Sequence, residues 1–202
     1  MESLLERLAN QTPSETRERS EEALNFFRKE VRGLRVNPTS FYKQTNLNKA
    51  KRYLAGRMYT FFYNPKTKDK LPYYDTFPVV LIIETTGNGF VGLNLHYIPP
   101  RYRVNLLSQL YDFVIEDPDI ESDDEEMKTK VKMSYELLQS TAKLKFFRPC
   151  YKKYLASHIE GRALEITPQY WDIMAMLPTA QFKKKTVKEV YGESIRSVNG
   201  TR

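Results

Sequence analysis

The stretch PVVLIIETTGNGFVGLNLHYIPP, residues 78–100, decides the fold. Its first part, PVVLIIE, is a continuous apolar, β-branched run that reads as a buried strand. The segment GFVGLNLHYI, 89–98, reads as a second strand, and Thr86-Gly87-Asn88-Gly89 between them predicts a tight hairpin, because Asn-Gly takes the positive φ of a type I′ turn. Alternation places Phe90, Gly92, Asn94 and His96 on one face, and Val91, Leu93, Leu95 and Tyr97 on the other. The second set is expected to be buried, which leaves His96 and Asn94 on an open face as a candidate docking surface. Pro99-Pro100 stops the strand and starts a helix.

Upstream, RMYTFFY (57–63) reads as a third strand, followed by an exposed loop, NPKTKDKLPYYDTF (64–77). Short strands with an aromatic lining predict a small SH3-like antiparallel β unit over about residues 57–98, packed with helices in an α+β fold. Downstream, RYRVNLLSQLYDFVI is helical, with Val104, Leu107, Leu110, Tyr111 and Val114 inward, and a capping box at Ser122–Glu125 opens a long helix to about Phe147. CYKKYLASHIEGR (150–162) reads as a short helix and RALEI (162–166) as a strand, and Thr167-Pro168 starts the helix QYWDIMAML.

The N-terminal region is helical: Thr12-Pro13-Ser14-Glu15 is a capping signature, and apolar residues recur at Ala23, Leu24, Phe27, Val31 and Leu34. A shorter amphipathic piece carries Leu4, Leu5 and Leu8. The chain divides into an N-terminal helical arm (1–35), a linker (36–56), an α+β core domain (57–180) and a basic, weakly helical tail (181–202). An arm held outside the core exposes its apolar stripe unless it docks on the core or on another subunit, so Leu4, Leu5, Leu8, Leu24, Phe27 and Val31 are candidate docking residues.

The net charge is +7, with 32 Lys and Arg against 25 acids. Nine of those acids lie between Asp112 and Glu126, leaving 16 against all 32 bases elsewhere. Such a surface suits a polyanion, either nucleic acid or an acidic protein face; internal pairing with the acidic segment would equally account for it. Two basic groups stand out: Lys143, Lys145, Arg148, Lys152 and Lys153, interleaved with Phe146, Phe147, Tyr151 and Tyr154, and the group Lys183, Lys184, Lys185 and Lys188. Lysine contacts to phosphate together with aromatic stacking are what sequence-independent nucleic-acid binding uses.

Motifs for catalysis are missing from the sequence: no G-x-x-x-x-G-K-[ST], no G-x-G-x-x-G opening a helix after a strand, no G-x-S-x-G and no H-E-x-x-H occurs. One cysteine, Cys150, and two histidines, His96 and His158, argue against a metal site, and no cofactor is expected. The alternating acids from Asp117 to Glu125 lack the glycine and the terminal glutamate of a calcium loop. Asp75 and Glu84 flank an extended strand, roughly 25–30 Å apart, too far to share one catalytic metal. No partner for His96 is identifiable, and Cys150 reads as a small buried residue. The charged N-terminal residues are unlike a signal peptide, and no apolar run reaches the roughly 20 residues that span a bilayer, so a cytoplasmic protein without a membrane partner is expected.

Four elements carry a resemblance: the PYYD-x-FP loop, the G-x-N-LHY strand, the FFRPC break and the W-D-x-x-A-x-LP helix, within 58–103 and 145–185. The chain resembles a family of small virion-assembly and DNA end protector-like proteins of large contractile-tailed bacteriophages. The resemblance implies a non-enzymatic component of the virion, in the neck, tail or baseplate or at the packaged DNA ends. It would be assembled in the host cytoplasm and dock on other phage virion proteins. A sequence-independent DNA-binding protein is the alternative, and a metal-dependent nuclease the third.

Overall fold

The computed structural model describes residues 3–11, 21–114 and 148–199. It is an α+β fold: one six-stranded antiparallel sheet, one two-stranded sheet and a set of helices. The helices are α1 (Leu4–Asn10), α2 (Glu21–Glu30), α3 (Pro38–Gln44), α4 (Pro100–Val114), α5 (Trp171–Met176) and α6 (Val187–Asn199). The strands are β1 (Asn48–Lys49), β2 (Met58–Tyr63), β3 (Tyr74–Asp75), β4 (Val79–Thr86), β5 (Gly89–Asn94), β6 (Tyr151–Leu155), β7 (Ile159–Ile166) and β8 (Phe182–Lys183).

The large sheet runs β1-β7-β2-β4-β5-β6, while β3 pairs with β8. Strands β6 and β7 lie at opposite ends of the five-strand run β7-β2-β4-β5-β6, yet only a 3₁₀ turn, Ala156–His158, joins them. A flat sheet would put them about 19 Å apart, and so short a link reaches about 14 Å at most. The sheet therefore curls, and its inner face becomes an aromatic core. Tyr59, Phe61 and Tyr63 from β2, Val80 and Ile82 from β4, Phe90 from β5, Tyr154 from β6 and Ala163 from β7 form one buried cluster. Phe61 makes edge contacts with Tyr63, Phe90 and Tyr154 at centroid distances of 5.4–6.1 Å.

The alternate residues, among them Met58, Leu81, Ile83, Leu93 and Ile166, face outward into a second core shared with the helices. Leu5, Leu8 and Phe27 are buried in this second core, with Leu4 and Val31 packed against it. Helix α1 is fixed by a capping box, in which the Glu6 N–H donates to Ser3 Oγ and the Ser3 N–H donates to Glu6 Oε2 at 2.8 Å. The apolar stripe of the arm thus docks on this chain's own core. Residues 36–56 also carry structure: Asn37 caps α3, and Tyr42 donates from its hydroxyl to the Arg162 carbonyl at 2.6 Å, pinning that helix to β7.

Three expectations are corrected. The hairpin is present, with Thr86 paired to Gly89, but Gly87-Asn88 occupies its centre, and none of Gly87, Asn88 and Gly89 has a positive φ. Asn94 and His96 are not on an open face: both are fully buried, because the curl turns that face inward and Leu95–Tyr97 forms a 3₁₀ turn. CYKKYLASHIEGR is not a helix; it supplies β6, the 3₁₀ turn and the start of β7. Cys150, by contrast, is buried, and burial pushes its thiol up to about 12. The capping signature at Thr12 and the long helix from Ser122 lie outside the described residues.

Curling also explains a glycine. A Cβ on Gly92 would lie 2.4 Å from Val80 Cγ1 and 2.7 Å from the Leu81 carbonyl oxygen. Gly92→Ala is expected to cost about 1–3 kcal/mol through overpacking, read as a lowered urea midpoint; an unchanged midpoint would show that β4 and β5 separate freely.

Candidate functional site

Three buried side chains from distant parts of the chain meet beside the curled sheet. His96 Nδ1 donates to Asp75 Oδ2 at 2.7 Å, and Thr179 Oγ1 donates to His96 Nε2 at 3.0 Å. These partners fix the ring tautomer. The Asp75 carboxylate also accepts from the Phe77 N–H (3.1 Å), the Gln181 N–H (3.2 Å) and Asn94 Nδ2 (3.2 Å). Asn94 Nδ2 reaches the Tyr154 hydroxyl at 3.0 Å as well.

Burial depresses His96 below its ordinary pKa against the pull of Asp75, so the ring is neutral. Burial raises Asp75, but His96, the Phe77 N–H and Asn94 outweigh it and hold the carboxyl below its ordinary value. The Asp–His–Thr order resembles a nucleophile relay. Thr179, however, is completely buried, so no substrate reaches its hydroxyl. The network serves to hold the loop 64–77, the end of β5 and the segment after α5 together.

Above it lies a groove of about 440 Å³ between the loop 64–74 and β6. Tyr63, Tyr73, Tyr74, Tyr97 and Tyr154 line it, and Lys66, Lys152 and Lys153 add positive charge. A second hollow of about 410 Å³, lined by Arg148, Pro149, Glu193 and Ser197, adjoins it through the shared residues Tyr73 and Lys152. The Lys152 ammonium sits 4.2 Å from the centroid of the Tyr97 ring, and burial lowers its pKa.

The loop wall is held by a residue the sequence assigned to polyanion contact. Lys184, at φ 71°, donates from Nζ to the carbonyls of Lys68 (2.8 Å), Asp69 (3.1 Å) and Leu71 (2.7 Å). Lys185 pairs with Glu193, and its ammonium lies 4.6 Å from the Tyr73 ring centroid. Among the basic candidates, Arg148, Lys152 and Lys153 gather at the two hollows, while Lys183 and Lys188 are exposed elsewhere on β8 and α6. Lys143, Lys145 and the side chain of Leu24 lie outside the described residues.

A family model described as phage T4 terminal DNA protecting protein matches residues 2–195. The chain belongs to that family. No curated protein and no solved structure matches it. Membership in the terminal DNA protecting family agrees with the resemblance carried by PYYD, LHY and the α5 motif. The first two of those elements supply Asp75 and His96, and Thr179 directly follows the Leu177-Pro178 that ends the third. Sequence reasoning weighed Asp75 only as a metal ligand and passed over Thr179, because the bonds Asp75–His96, His96–Thr179 and Asp75–Gln181 join residues 21, 83 and 106 positions apart. Among the described residues, no three His, Cys, Asp or Glu side chains converge as a metal site, and no helix is long and apolar enough to cross a membrane.

Proposed function

We propose that this protein is a non-enzymatic component of the phage particle that binds and shields the termini of packaged DNA. The observation that carries this reading, beside the family, is the cationic rim of an aromatic groove: Lys66, Lys152 and Lys153 around the tyrosines, with Arg148 beyond them. Lysines supply phosphate contacts that are independent of sequence, and tyrosines supply stacking surface. In this reading the protein rides in the virion beside the DNA end, in contact with other virion proteins and assembled with them in the host cytoplasm.

We further read the β unit as SH3-like. The strand order β7-β2-β4-β5-β6 and the single 3₁₀ turn between β6 and β7 support this, with α4 inserted after β5. Such a curl leaves a groove between the long loop after its first strand and the far edge strand, which is where the tyrosines lie. Contact is assigned to this rim rather than to the arm, since Leu5, Leu8 and Phe27 are spent on the protein's own core.

The test is binding of linear duplex DNA across a salt series, with exonuclease protection of the ends as the second readout. Lys66 and Lys153 are exposed, so their reversal leaves the core intact. The double variant Lys66→Glu, Lys153→Glu is expected to reduce the slope of log affinity against log salt by about 1.8, the share of two phosphate contacts. End protection should weaken in parallel. An unchanged slope would remove the rim from the interface, and native protein that leaves ends open to digestion would overturn the reading.

A further inference from the structure

The geometry points to a specific occupant of the tyrosine groove: the last, unpaired nucleotide of a DNA strand, its base held among the rings and its phosphates at the rim. This rests on the end-binding reading above and extends it to a seat for a single nucleotide.

The polarity of the groove sets the orientation. Its floor is made by Tyr63, Tyr97 and Tyr154, all buried, with the Asp75 carboxylate behind them. A phosphate seated on that floor would face a carboxylate whose two oxygens already accept from His96, Asn94, Phe77 and Gln181. Like charge excludes it. A base has no charge, and its π face suits tyrosine.

The half-buried rings of Tyr73 and Tyr74 stand at the loop side of the groove; Tyr73 is braced by Tyr97, Phe182 and the Lys185 ammonium and forms its wall, and Tyr74 leaves surface for stacking. The cations are placed at the other positions. Lys66 and Lys153 are exposed at the rim, and Lys152 stands where the groove passes into the second hollow. Among the described residues, Lys66 and Lys153 have no carboxylate partner. A strand entering from the second hollow would pass Arg148 and Lys152, with Glu193 engaged by Lys185, before its final base turns into the groove.

Size agrees with this choice. A volume of about 440 Å³ falls in the range of sites that enclose one small ligand, about 300–1,000 Å³. Two paired strands do not enter it side by side. Unpairing is least costly at a terminus, where a base has a stacking neighbour on one face alone, so the seat selects ends over continuous duplex. The wall that forms the seat is fixed, since Lys184 clasps three carbonyls of the loop.

The experiment uses the full chain and hairpin DNA with one open end carrying 2-aminopurine as the terminal base. Affinity is compared with that for a closed dumbbell, and with that for a hairpin whose terminal base pair is covalently cross-linked. Native protein is expected to prefer the open end over both controls and to quench the 2-aminopurine emission. Tyr73→Leu and Tyr74→Leu, made separately, should each weaken open-end binding by about fivefold to a hundredfold, leave dumbbell binding unchanged and restore the emission.

Equal binding of the cross-linked and free ends would overturn the seat while leaving end binding standing, because the duplex would then be held whole. Equal binding of the dumbbell and the open end would defeat both readings. Tyrosine variants that bind every DNA as the native protein does, but lose binding to a proline-rich peptide, would assign the groove to a protein partner and overturn the proposal.

Discussion

Asp75→Ala is expected to lower folding stability by about 3–5 kcal/mol, the loss seen when one partner of a buried, hydrogen-bonded charge network is removed. The carboxylate accepts from four donors, the His96 ring, the Asn94 amide and the N–H groups of Phe77 and Gln181, of which Asn94 also donates to the Tyr154 hydroxyl. Removing it strands the His96 ring N–H and the Phe77 N–H in buried surroundings, and each stranded donor costs about 1–3 kcal/mol in turn. Asp75→Asn keeps one acceptor oxygen, so its cost should be smaller. Urea unfolding measures both. A loss below about 1 kcal/mol for the alanine variant would show that the loop and the segment after α5 are held by other contacts.

The same network makes stability depend on pH in two stages. His96 has a folded pKa below its ordinary value, so as pH falls below about 6.5 the unfolded chain takes up a proton that the folded chain refuses. Stability therefore declines from about pH 6.5 downward, with a slope approaching 1.4 kcal/mol per pH unit. Asp75, held below its ordinary value, contributes stability that is complete above about pH 4 and is lost as pH falls through its folded pKa. His96→Gln should abolish the first stage and keep the second. A retained first stage in that variant would place the acid-sensitive group elsewhere.

The sheet's centre was legible because β2, β4 and β5 are apolar runs with clear punctuation, and the pairing Met58↔Leu81 and Leu81↔Leu93 follows their alternation. What alternation could not say was that both faces are covered. A polar Asn94 or His96 on one face looks solvent-facing until the sheet curls, and the curl depends on a link between β6 and β7. β6 itself was hidden because YKKYL is an edge strand, and edge strands carry charges that blur an apolar period. Its lysines were singled out from the sequence, yet their neighbours Tyr73 and Tyr97 come from other elements. Lys183, Lys184 and Lys185 formed one basic run in the sequence and have three different surroundings in the fold. One is exposed, one clasps a loop, and one is paired with Glu193.

Arg103→Ala should be the second most damaging single change, at least about 3 kcal/mol. The guanidinium is almost completely buried, and burial lowers its pKa. Its Nε donates to the Ile98 carbonyl at 2.9 Å and its Nη1 to the Ala175 carbonyl at 2.8 Å, while Nη2 donates to the Tyr191 hydroxyl. One side chain on α4 thus joins the end of the β5 segment, α5 and α6. Truncation leaves two carbonyls unpaired and opens a cavity. Arg103→Met fills most of the volume and leaves the carbonyls unpaired, so it should lose less, and the difference between the variants measures the cavity. α6 keeps a second tie, since Ser194 Oγ donates to the Tyr97 carbonyl at 2.6 Å. Amide exchange in α6 should therefore rise more than in β5. The helix carries Glu193, whose pairing with Lys185 places an ammonium over Tyr73 at the junction of the two hollows. A folded Arg103→Met protein that bound DNA ends with native affinity would show that the groove keeps its shape without α6, and that the loop clasp by Lys184 alone suffices.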